Sequence, residues 1–196
     1  MLNEFLSELR QMLPSDRIYT DELRTLGWGT DASFYRQIPK VVIRSDGEEE
    51  VSRILALCHK HHLPVTFRAA GTSLSGQSCT DSVLLVAGKH WEKYTLSDYD
   101  TITMQPGIVG ARVNEILNPY GRVFPPDPAS IGSAMVGGIV VNNASGMNCG
   151  VHANSDRMLI SARIILADGT VLDTDEVGSR EEFERTHPEF PARIKA

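Results

Sequence analysis

The most constraining feature of the sequence is a ten-residue stretch, Arg68 to Gln77, which is poor in bulky side chains and lies between two apolar runs. The first run, residues 63–67, predicts a strand, and the second, residues 83–86, predicts a buried strand. Glycines let a backbone curl tightly around a ligand, and clustered backbone N–H groups form a concave anion site. The stretch therefore predicts a loop for a phosphate-bearing ligand. An ordinary connecting loop is the alternative from these residues alone.

The first part of the chain predicts a small α/β unit before this loop. Apolar residues recur at helical spacing over residues 2–13, and a proline ends the pattern. Residues 15–39 show no such period, so we expect an arm that packs on the domain, with a turn or helix cap at 30–33. A strand is predicted at 41–43, and a helix follows from residue 48 to 58, with three glutamates in its first turn.

The later part of the chain predicts further short elements. A strand pair at 94–96 and 101–104 surrounds a turn at 97–100, and a helix follows at 110–117. A strand at 158–167 is joined by an Asp168-Gly169 hairpin to a strand at 171–173. The last predicted element is a helix at 179–185 with Ser179 as its cap. Between the helix at 110–117 and the strand at 158–167 lies a second glycine-rich segment, residues 132–146, which follows the proline-rich residues 125–128. Its small residues allow a close approach of backbone to backbone or to a ligand.

Charge and cysteine content exclude several classes of protein. The formal net charge of −6 does not favour a nucleic-acid or anionic-membrane surface. No apolar run approaches the roughly 20 residues that cross a bilayer, and the N-terminus does not resemble a signal peptide. The three cysteines are odd in number and widely spaced, which argues against a disulfide framework. We therefore expect a cytoplasmic protein, with peripheral membrane contact as an open alternative.

The two glycine-rich segments together resemble a known family. The sequences RAAGTSLSGQ and PPDPASIGSAMVGGIVVNNASG, in this order, are similar to the flavin-binding domain of the p-cresol methylhydroxylase and vanillyl-alcohol oxidase superfamily, and most similar to FAD-linked D-lactate, glycolate and D-2-hydroxyglutarate dehydrogenases. The resemblance implies an α+β fold of two small α+β subdomains that is incomplete at its C-terminus. We expect an N-terminal helix and arm at 1–36, the first FAD-binding subdomain at 37–100 and the second at 101–196.

The resemblance also implies which residues contact FAD. The first loop would bind the diphosphate, and the second segment would lie along the ribityl chain and the flavin edge. The expected contacts are Arg68, Ala69, Ala70, Gly71, Thr72, Ser73, Gly76 and Gln77 in the first loop, and Pro128, Ser130, Gly132, Ser133, Gly137, Gly138, Asn143, Gly146, Asp156 and Ile160 in and after the second segment.

Attachment of the flavin is expected to be non-covalent. Several family members bind it covalently through a histidine in the first loop, and Thr72 occupies that place here. A covalent bond from a domain outside this chain stays open.

The resemblance implies a reaction that this chain does not complete. The full-length protein would oxidise a D-2-hydroxy acid by hydride transfer to flavin N5 and pass electrons to a quinone, an electron-transfer protein or an iron–sulfur domain. We expect the catalytic base, and any iron–sulfur cluster, in a C-terminal region that follows a charged connecting segment at 193–196. No catalytic residue is assigned within this sequence.

Other chemistry is less well supported by the sequence. Cys58, His61 and His62 share a helical face with apolar residues, so packing accounts for them better than a metal site. Cys149 and His152 are expected to be structural, with a flavin contact as the alternative. A different class of function stays open as well, namely a nucleotide-binding or interaction module without catalytic activity of its own.

Overall fold

A four-stranded sheet forms the centre of the N-terminal part in the computed structural model, which describes residues 2–87, 90–97 and 100–194. Its strands are β1 (Ile18–Tyr19), β2 (Val41–Ser45), β3 (Val65–Arg68) and β4 (Val83–Ala87). Their order is β1-β2-β4-β3, with β1 antiparallel to β2 and the other three strands parallel. Strand β4 is therefore flanked on both sides, which agrees with its uninterrupted apolar sequence.

Two helices precede β2. The predicted N-terminal helix is confirmed as α1 (Leu2–Met12), which buries Phe5, Leu6 and Leu9. The arm expected at 15–39 contains α2 (Glu22–Gly27), a helix that the sequence pattern did not predict. The Asp21 side chain accepts a hydrogen bond of 3.0 Å from the backbone N–H of Arg24 and so caps this helix. Helix α2 has too few residues to show an apolar period.

The main core lies between the sheet and helices α1 and α3. The predicted helix after β2 is confirmed as α3 (Glu48–Lys60), which buries Ile54, Leu55 and Cys58 against the sheet. Along β4, Val83 and Leu85 face this core, whereas Leu84 and Val86 belong to a second cluster on the opposite face, next to Tyr19 and Trp28. Strands β2 and β4 are thus buried on both faces of the sheet.

A second core is built by the next four elements. Strands β5 (Tyr94–Ser97) and β6 (Thr101–Met104) pair in antiparallel fashion, and α4 (Gly110–Leu117) and α5 (Val136–Val141) follow them. Ile108, Val113, Leu117 and Val136 are buried here, and Leu96 of β5 packs on them. The predicted strand pair and the helix at 110–117 are confirmed. Residues 98 and 99 of the predicted turn lie outside the described residues. The β5–β6 hairpin spans residue 100, where we placed the subdomain boundary, and that boundary stays a prediction.

The C-terminal part differs from expectation at three points. It contains α6 (Ser155–Met158), β7 (Arg163–Ile165), β8 (Val171–Asp173), α7 (Ser179–Thr186) and α8 (Glu189–Ile194). The predicted strand at 158–167 is wrong for residues 158–162 and 166–167, because residue 158 ends a helix and β7 spans only Arg163–Ile165. The connecting segment expected at 193–196 is helical through residue 194, and residues 195 and 196 are outside the described ranges. Gly178, not Ser179, is the N-cap of α7. The hairpin at 168–169 and the helix after it are confirmed.

The β7–β8 hairpin is attached to α3. The Arg163 Nε donates a hydrogen bond of 2.6 Å to Glu48, and the hydroxyl of Ser52 donates one to the carbonyl of Gly169. Gly169 has a φ of +90°, and a Cβ there would lie 2.5 Å from the Ser52 carbonyl oxygen. The close approach of hairpin and helix thus requires glycine at this turn.

The helices of the protein are short. The longest within the described ranges is α3, with 13 residues, whereas a bilayer-spanning helix needs about 20 apolar residues. Within the described part of the chain, no helix is long and apolar enough to cross a membrane.

The central position of β4 predicts that shortening a buried side chain of this strand lowers the free energy of unfolding. Leu85 is fully buried, so Leu85→Ala removes apolar contacts and leaves a cavity, which should lower the free energy of unfolding by about 3 kcal/mol in a urea titration. Leu23→Ala is the matched control, because Leu23 is 79% exposed, and its effect should stay within about 0.5 kcal/mol. Equal effects of the two variants would contradict the central position of β4.

Candidate functional site

The first glycine loop, residues 68–77, begins at the carboxyl end of β3. In parallel sheets this end is where ligands bind. Gly71 and Gly76 have φ values of +70° and +77°, in the left-handed region that glycine adopts without steric cost. The Cys79 N–H closes a turn on the Gly76 carbonyl at 3.1 Å, and the Ser73 hydroxyl is hydrogen-bonded to Gln77. The loop is thus a tightly curled backbone with small side chains.

A second segment lies behind this loop. We call it the supporting arm, residues 28–37, which links α2 to β2. The Ala32 N–H donates a hydrogen bond of 3.0 Å to the Gly71 carbonyl. A Cβ on Gly71 would lie 2.8 Å from the Arg68 guanidinium, and a Cβ on Gly76 would lie 2.7 Å from the Tyr35 ring. These Cβ directions point toward the arm and the guanidinium, so the arm and the guanidinium occupy one side of the loop.

The Arg68 side chain extends toward the arm. One terminal nitrogen donates to the carbonyl oxygens of Trp28 at 3.2 Å and Thr30 at 2.7 Å, and the guanidinium carbon lies 5.2 Å from the centre of the Trp28 ring. Its Nε is buried and has no hydrogen-bond partner. The positive charge therefore lies directly behind Gly71, and the direct contact of Arg68 with a ligand stays a prediction.

Asp31 connects the arm to the loop. One carboxylate oxygen accepts hydrogen bonds from the Ser33 N–H at 2.8 Å and the Ser33 hydroxyl at 2.5 Å, and the other accepts one of 2.8 Å from the Ser78 hydroxyl. Burial raises the pKa of this carboxyl, but the hydrogen bonds from Ser33 and Ser78 outweigh it and lower the pKa to about 2. Asp31 is therefore ionised at neutral pH.

The second glycine segment begins with a turn and continues into α5. The Ile131 N–H donates to the Pro128 carbonyl at 2.8 Å, and the Ala134 N–H donates to the Ser130 carbonyl at 2.7 Å. Ser133 donates to the same carbonyl through its N–H, at 2.8 Å. Gly132 lies in this turn, and a Cβ there would meet no atom within 4 Å. The turn thus brings Pro128, Ser130, Gly132 and Ser133 together, with open space at the Cβ position of Gly132.

The start of α5 is held close to the preceding chain. The Gly137 N–H donates to the Pro106 carbonyl at 2.9 Å, and a Cβ on Gly137 would lie 2.5 Å from the Cβ of Pro106. Only glycine fits this distance. Gly138, the next residue, faces the other way, and a Cβ there would lie 4.0 Å from the Cβ of Ala69. The first loop and the second segment therefore meet at Ala69 and Gly138.

The last predicted contacts have other observed neighbours. The Asn143 side-chain oxygen accepts a hydrogen bond of 2.9 Å from the Asp156 N–H and so joins the end of α5 to α6. A Cβ on Gly146 would overlap the Asp127 carbonyl oxygen, at 1.7 Å, because the two residues form a parallel bridge. Ile160 is 74% exposed. For Asn143 and Gly146 the structure supplies a packing reason, and the ligand contacts of all four residues stay predictions.

Sequence reasoning missed three residues that hold these loops. Asp31 was expected only as part of a turn, and its partner Ser78 is 47 positions away in the sequence. Ser155 is 2% exposed, and its hydroxyl donates a hydrogen bond of 2.7 Å to the Ala144 carbonyl at the end of α5. The local Asp-x-Ser pattern indicates an Asx turn, but no sequence pattern indicates these distant partners.

The residues considered for other chemistry have structural surroundings. Cys58 is buried, which raises the pKa of its thiol to about 12, and His61 Nε2 lies 2.9 Å from a Glu8 oxygen. Cys149 is buried and lies 3.1 Å from the Gly146 carbonyl oxygen. Over residues 2–87, 90–97 and 100–194, no group of three or more His, Cys, Asp or Glu side chains could hold a metal ion. Cys58 and Cys149 are thus buried in the protein, and His61 contacts the Glu8 carboxylate.

The residues present fit the diphosphate of the expected FAD. A diphosphate needs several converging donors and close access to the backbone. The first loop offers backbone N–H groups with small side chains from Ala69 to Ser73. It has two glycines whose Cβ positions point toward the arm and the Arg68 guanidinium, and the buried Nε of that guanidinium has no hydrogen-bond partner. Where Ala69 approaches Gly138, the second segment adds further small residues that could lie along the remainder of the FAD.

Comparison with known sequences agrees with this geometry. The model of a family described as "FAD binding domain" matches residues 39–175. Glycolate oxidase subunit GlcD of Bacillus subtilis is 30% identical over 71% of this chain and 30% of its own length. D-lactate dehydrogenase [cytochrome] 1 of Saccharomyces cerevisiae is 29% identical over 88% of this chain and 31% of its own length. D-2-hydroxyglutarate dehydrogenase of Haemophilus influenzae is 25% identical over 90% of this chain and 18% of its own length. The chain thus spans a third or less of these relatives.

Solved structures share the fold. A structure of alkyldihydroxyacetonephosphate synthase matches with a TM-score of 0.75 and 21% identity, over 87% of this chain and 34% of that chain. A structure of p-cresol methylhydroxylase matches with a TM-score of 0.71 and 16% identity, over 88% of this chain and 35% of that chain. At these identities the likeness concerns the fold alone, and it confirms the expected fold class.

The lowered pKa of Asp31 predicts a dependence of stability on pH. The carboxylate stabilises the folded state above its ordinary pKa of 3.8, and this contribution is lost as the pH falls from about 4 toward 2. Asp31→Asn should lower the free energy of unfolding at neutral pH by about 1 kcal/mol, a value reduced for solvent screening of a partly exposed group. Thermal unfolding from pH 2 to 7 measures this. The two proteins should converge near pH 2, and a constant difference at every pH would contradict the assignment.

Proposed function

The chain belongs to the FAD-binding domain family, and on that basis we propose that it is the cofactor-binding part of an oxidoreductase that oxidises a D-2-hydroxy acid of the D-lactate, glycolate or D-2-hydroxyglutarate type. The observation that carries the proposal is the approach of the first glycine loop to the second segment at Ala69 and Gly138. The names of the relatives, which include a glycolate oxidase subunit and D-lactate and D-2-hydroxyglutarate dehydrogenases, support the substrate class.

The first loop binds the diphosphate in this proposal. Backbone N–H groups from Ala69 to Ser73 converge on its oxygens, with Gly76 and Gln77 at the other end of the loop. Arg68 acts through its charge from behind Gly71, since one of its terminal nitrogens is held by two carbonyl oxygens of the arm. A dianion near a fixed guanidinium and several N–H dipoles is stabilised without any rearrangement on binding.

The second segment lines the rest of the cofactor in this proposal. The turn at 128–134 and the start of α5 present small or polar residues, and Gly132 has open space beside it. Asn143, Gly146, Asp156 and Ile160 continue the same path, the first two also holding the segment in shape. Attachment is non-covalent at the first loop, because Thr72 has no ring nitrogen or thiol that could bond to the flavin.

The chemistry is shared between the cofactor and the rest of the protein. When bound, FAD supplies the flavin N5 that accepts a hydride from the α-carbon of the hydroxy acid. The residues of this chain bind and orient the cofactor. The base and the groups that bind the substrate carboxylate belong to regions outside this chain, as does the route to a quinone, an electron-transfer protein or an iron–sulfur domain.

The proposal predicts flavin uptake by the full-length protein. Purified protein should show flavin absorbance, and acid or heat should release FAD intact, as identified by HPLC, because the attachment is non-covalent. Thermal-shift measurements with FAD, FMN, ADP and ATP form the control set, and FAD should raise the melting temperature most. Stabilisation by ADP alone, without turnover of D-2-hydroxy acids, would instead support a nucleotide-binding module.

Substitution of either positive-φ glycine in the first loop is expected to cause loss of the cofactor. Gly71→Val and Gly76→Val should each reduce FAD content of the purified full-length protein at least tenfold. A branched residue at positive φ costs about 1–3 kcal/mol. Its side chain would also meet Arg68 or Tyr35 and displace the loop. The cause is a changed loop shape, because the Cβ positions face the protein.

Gly121→Val is the matched control for these variants. Gly121 has a φ of +64° but lies outside both glycine segments, and a Cβ there meets no atom within 4 Å. This variant carries a similar backbone cost and should keep its FAD. Unchanged flavin content in Gly71→Val and Gly76→Val would show that the first loop does not bind the diphosphate.

A further inference from the structure

We infer that Asp31 is a positioning residue for the cofactor, which holds the first glycine loop in its binding shape through Ser78 without touching the FAD itself. The inference rests on the proposed FAD binding. It assigns a function to the supporting arm, residues 28–37, which precedes the matched region at 39–175.

The arm contacts the loop region at points distributed along it. Near the start, Arg68 donates to two arm carbonyls. In the middle, the Gly71 carbonyl accepts from Ala32. Just beyond the loop, the Ser78 hydroxyl donates to Asp31. A loop with left-handed glycines has many alternative conformations, so these contacts select one of them.

Asp31 differs from the other contacts because it also gives the arm its shape. Its carboxylate accepts two hydrogen bonds from Ser33, and the Ser33 hydroxyl in turn accepts one of 3.1 Å from the Tyr35 N–H. This chain of hydrogen bonds places the Tyr35 ring behind Gly76. One carboxylate thus fixes both the arm and its attachment to the loop at Ser78.

Burial makes the attachment at Ser78 strong. Ser78 is only 7% exposed, and hydrogen bonds to a charged acceptor are stronger than those between neutral groups. Asp31 and Ser78 are 47 positions apart, so this bond fixes the relative position of two distant segments. If the loop must hold this shape for several N–H groups to converge, a looser loop has to be ordered again when the diphosphate binds, and affinity falls.

Two pairs of variants of the full-length protein test the inference. Asp31→Asn is compared with Asp168→Asn, because the pKa of Asp168 is also lowered to about 2, by hydrogen bonds from Thr170 and His187. Ser78→Ala is compared with Ser45→Ala, because Ser45 is 3% exposed and its hydroxyl donates to the Val86 carbonyl within the sheet. Each control removes similar bonding outside the supporting arm and outside residues 68–78.

The expected result is a change in affinity confined to the first member of each pair. The dissociation constant for FAD, from fluorescence titration of the apoprotein, should rise about tenfold in Asp31→Asn and Ser78→Ala and less than twofold in the two controls. At saturating FAD the flavin absorbance spectrum should be unchanged, since Asp31 does not touch the cofactor. Amide hydrogen exchange of residues 69–77 in the apoprotein should accelerate by a similar factor in the first members only.

The outcomes separate this inference from the proposed function. If the wild-type protein binds no FAD, the proposed function fails, and this inference fails with it. If the wild-type protein binds FAD but all four variants bind it equally well, or all four lose affinity in proportion to lost stability, only the positioning role of Asp31 is overturned. Unchanged hydrogen exchange of the loop in Asp31→Asn would overturn it as well.

Discussion

Parallel pairing of β4 with both β2 and β3 holds the N-terminal part of the protein together. The backbone hydrogen bonds of β4 fix the distance between β2 and β3, which are separated by helix α3 in the sequence. The supporting arm enters β2 at its amino end, and the first glycine loop leaves β3 at the opposite, carboxyl end. Trp28 of the arm packs on the cluster of Val42, Leu84 and Val86, and hydrogen bonds then join the arm to the loop region. The four residues Val83 to Val86 are buried on both faces, and hydrophobic burial therefore stabilises the geometry of the loop.

The glycines of the two loops serve packing as much as ligand access. Gly71 and Gly76 have positive φ values and Cβ positions directed at Arg68 and Tyr35. Gly137 allows α5 to approach Pro106, and Gly146 allows the bridge to Asp127. Gly132 alone in this group has open space at its Cβ position. A glycine-rich sequence thus reports that backbones come close together, and the tertiary structure decides whether the neighbour is a ligand or the protein itself.

Elements with a clear apolar period were predictable, and elements without one were not. Helices α1, α3 and α4 and both antiparallel hairpins carry regular patterns over enough residues to be recognised. Helix α2 has only six residues and is defined by the Asp21 cap. Residues 158–162 alternate like a strand, but residue 158 ends the short helix α6. Within this helix, the backbone N–H of Asp156 donates a hydrogen bond to the Asn143 side chain. Such tertiary contacts are not visible in a local pattern.

The two glycine-rich segments and their order, which is that of an FAD-binding domain, are readable from the sequence, because composition and spacing are local properties. Three contacts follow from the fold and not from any local pattern: Arg68 turns toward the arm, Asp31 meets Ser78, and Ala69 approaches Gly138. Each of these contacts joins residues that are 38 to 69 positions apart in the sequence. Their distance depends on how the strands pair and the helices pack, and no short stretch of sequence contains that information.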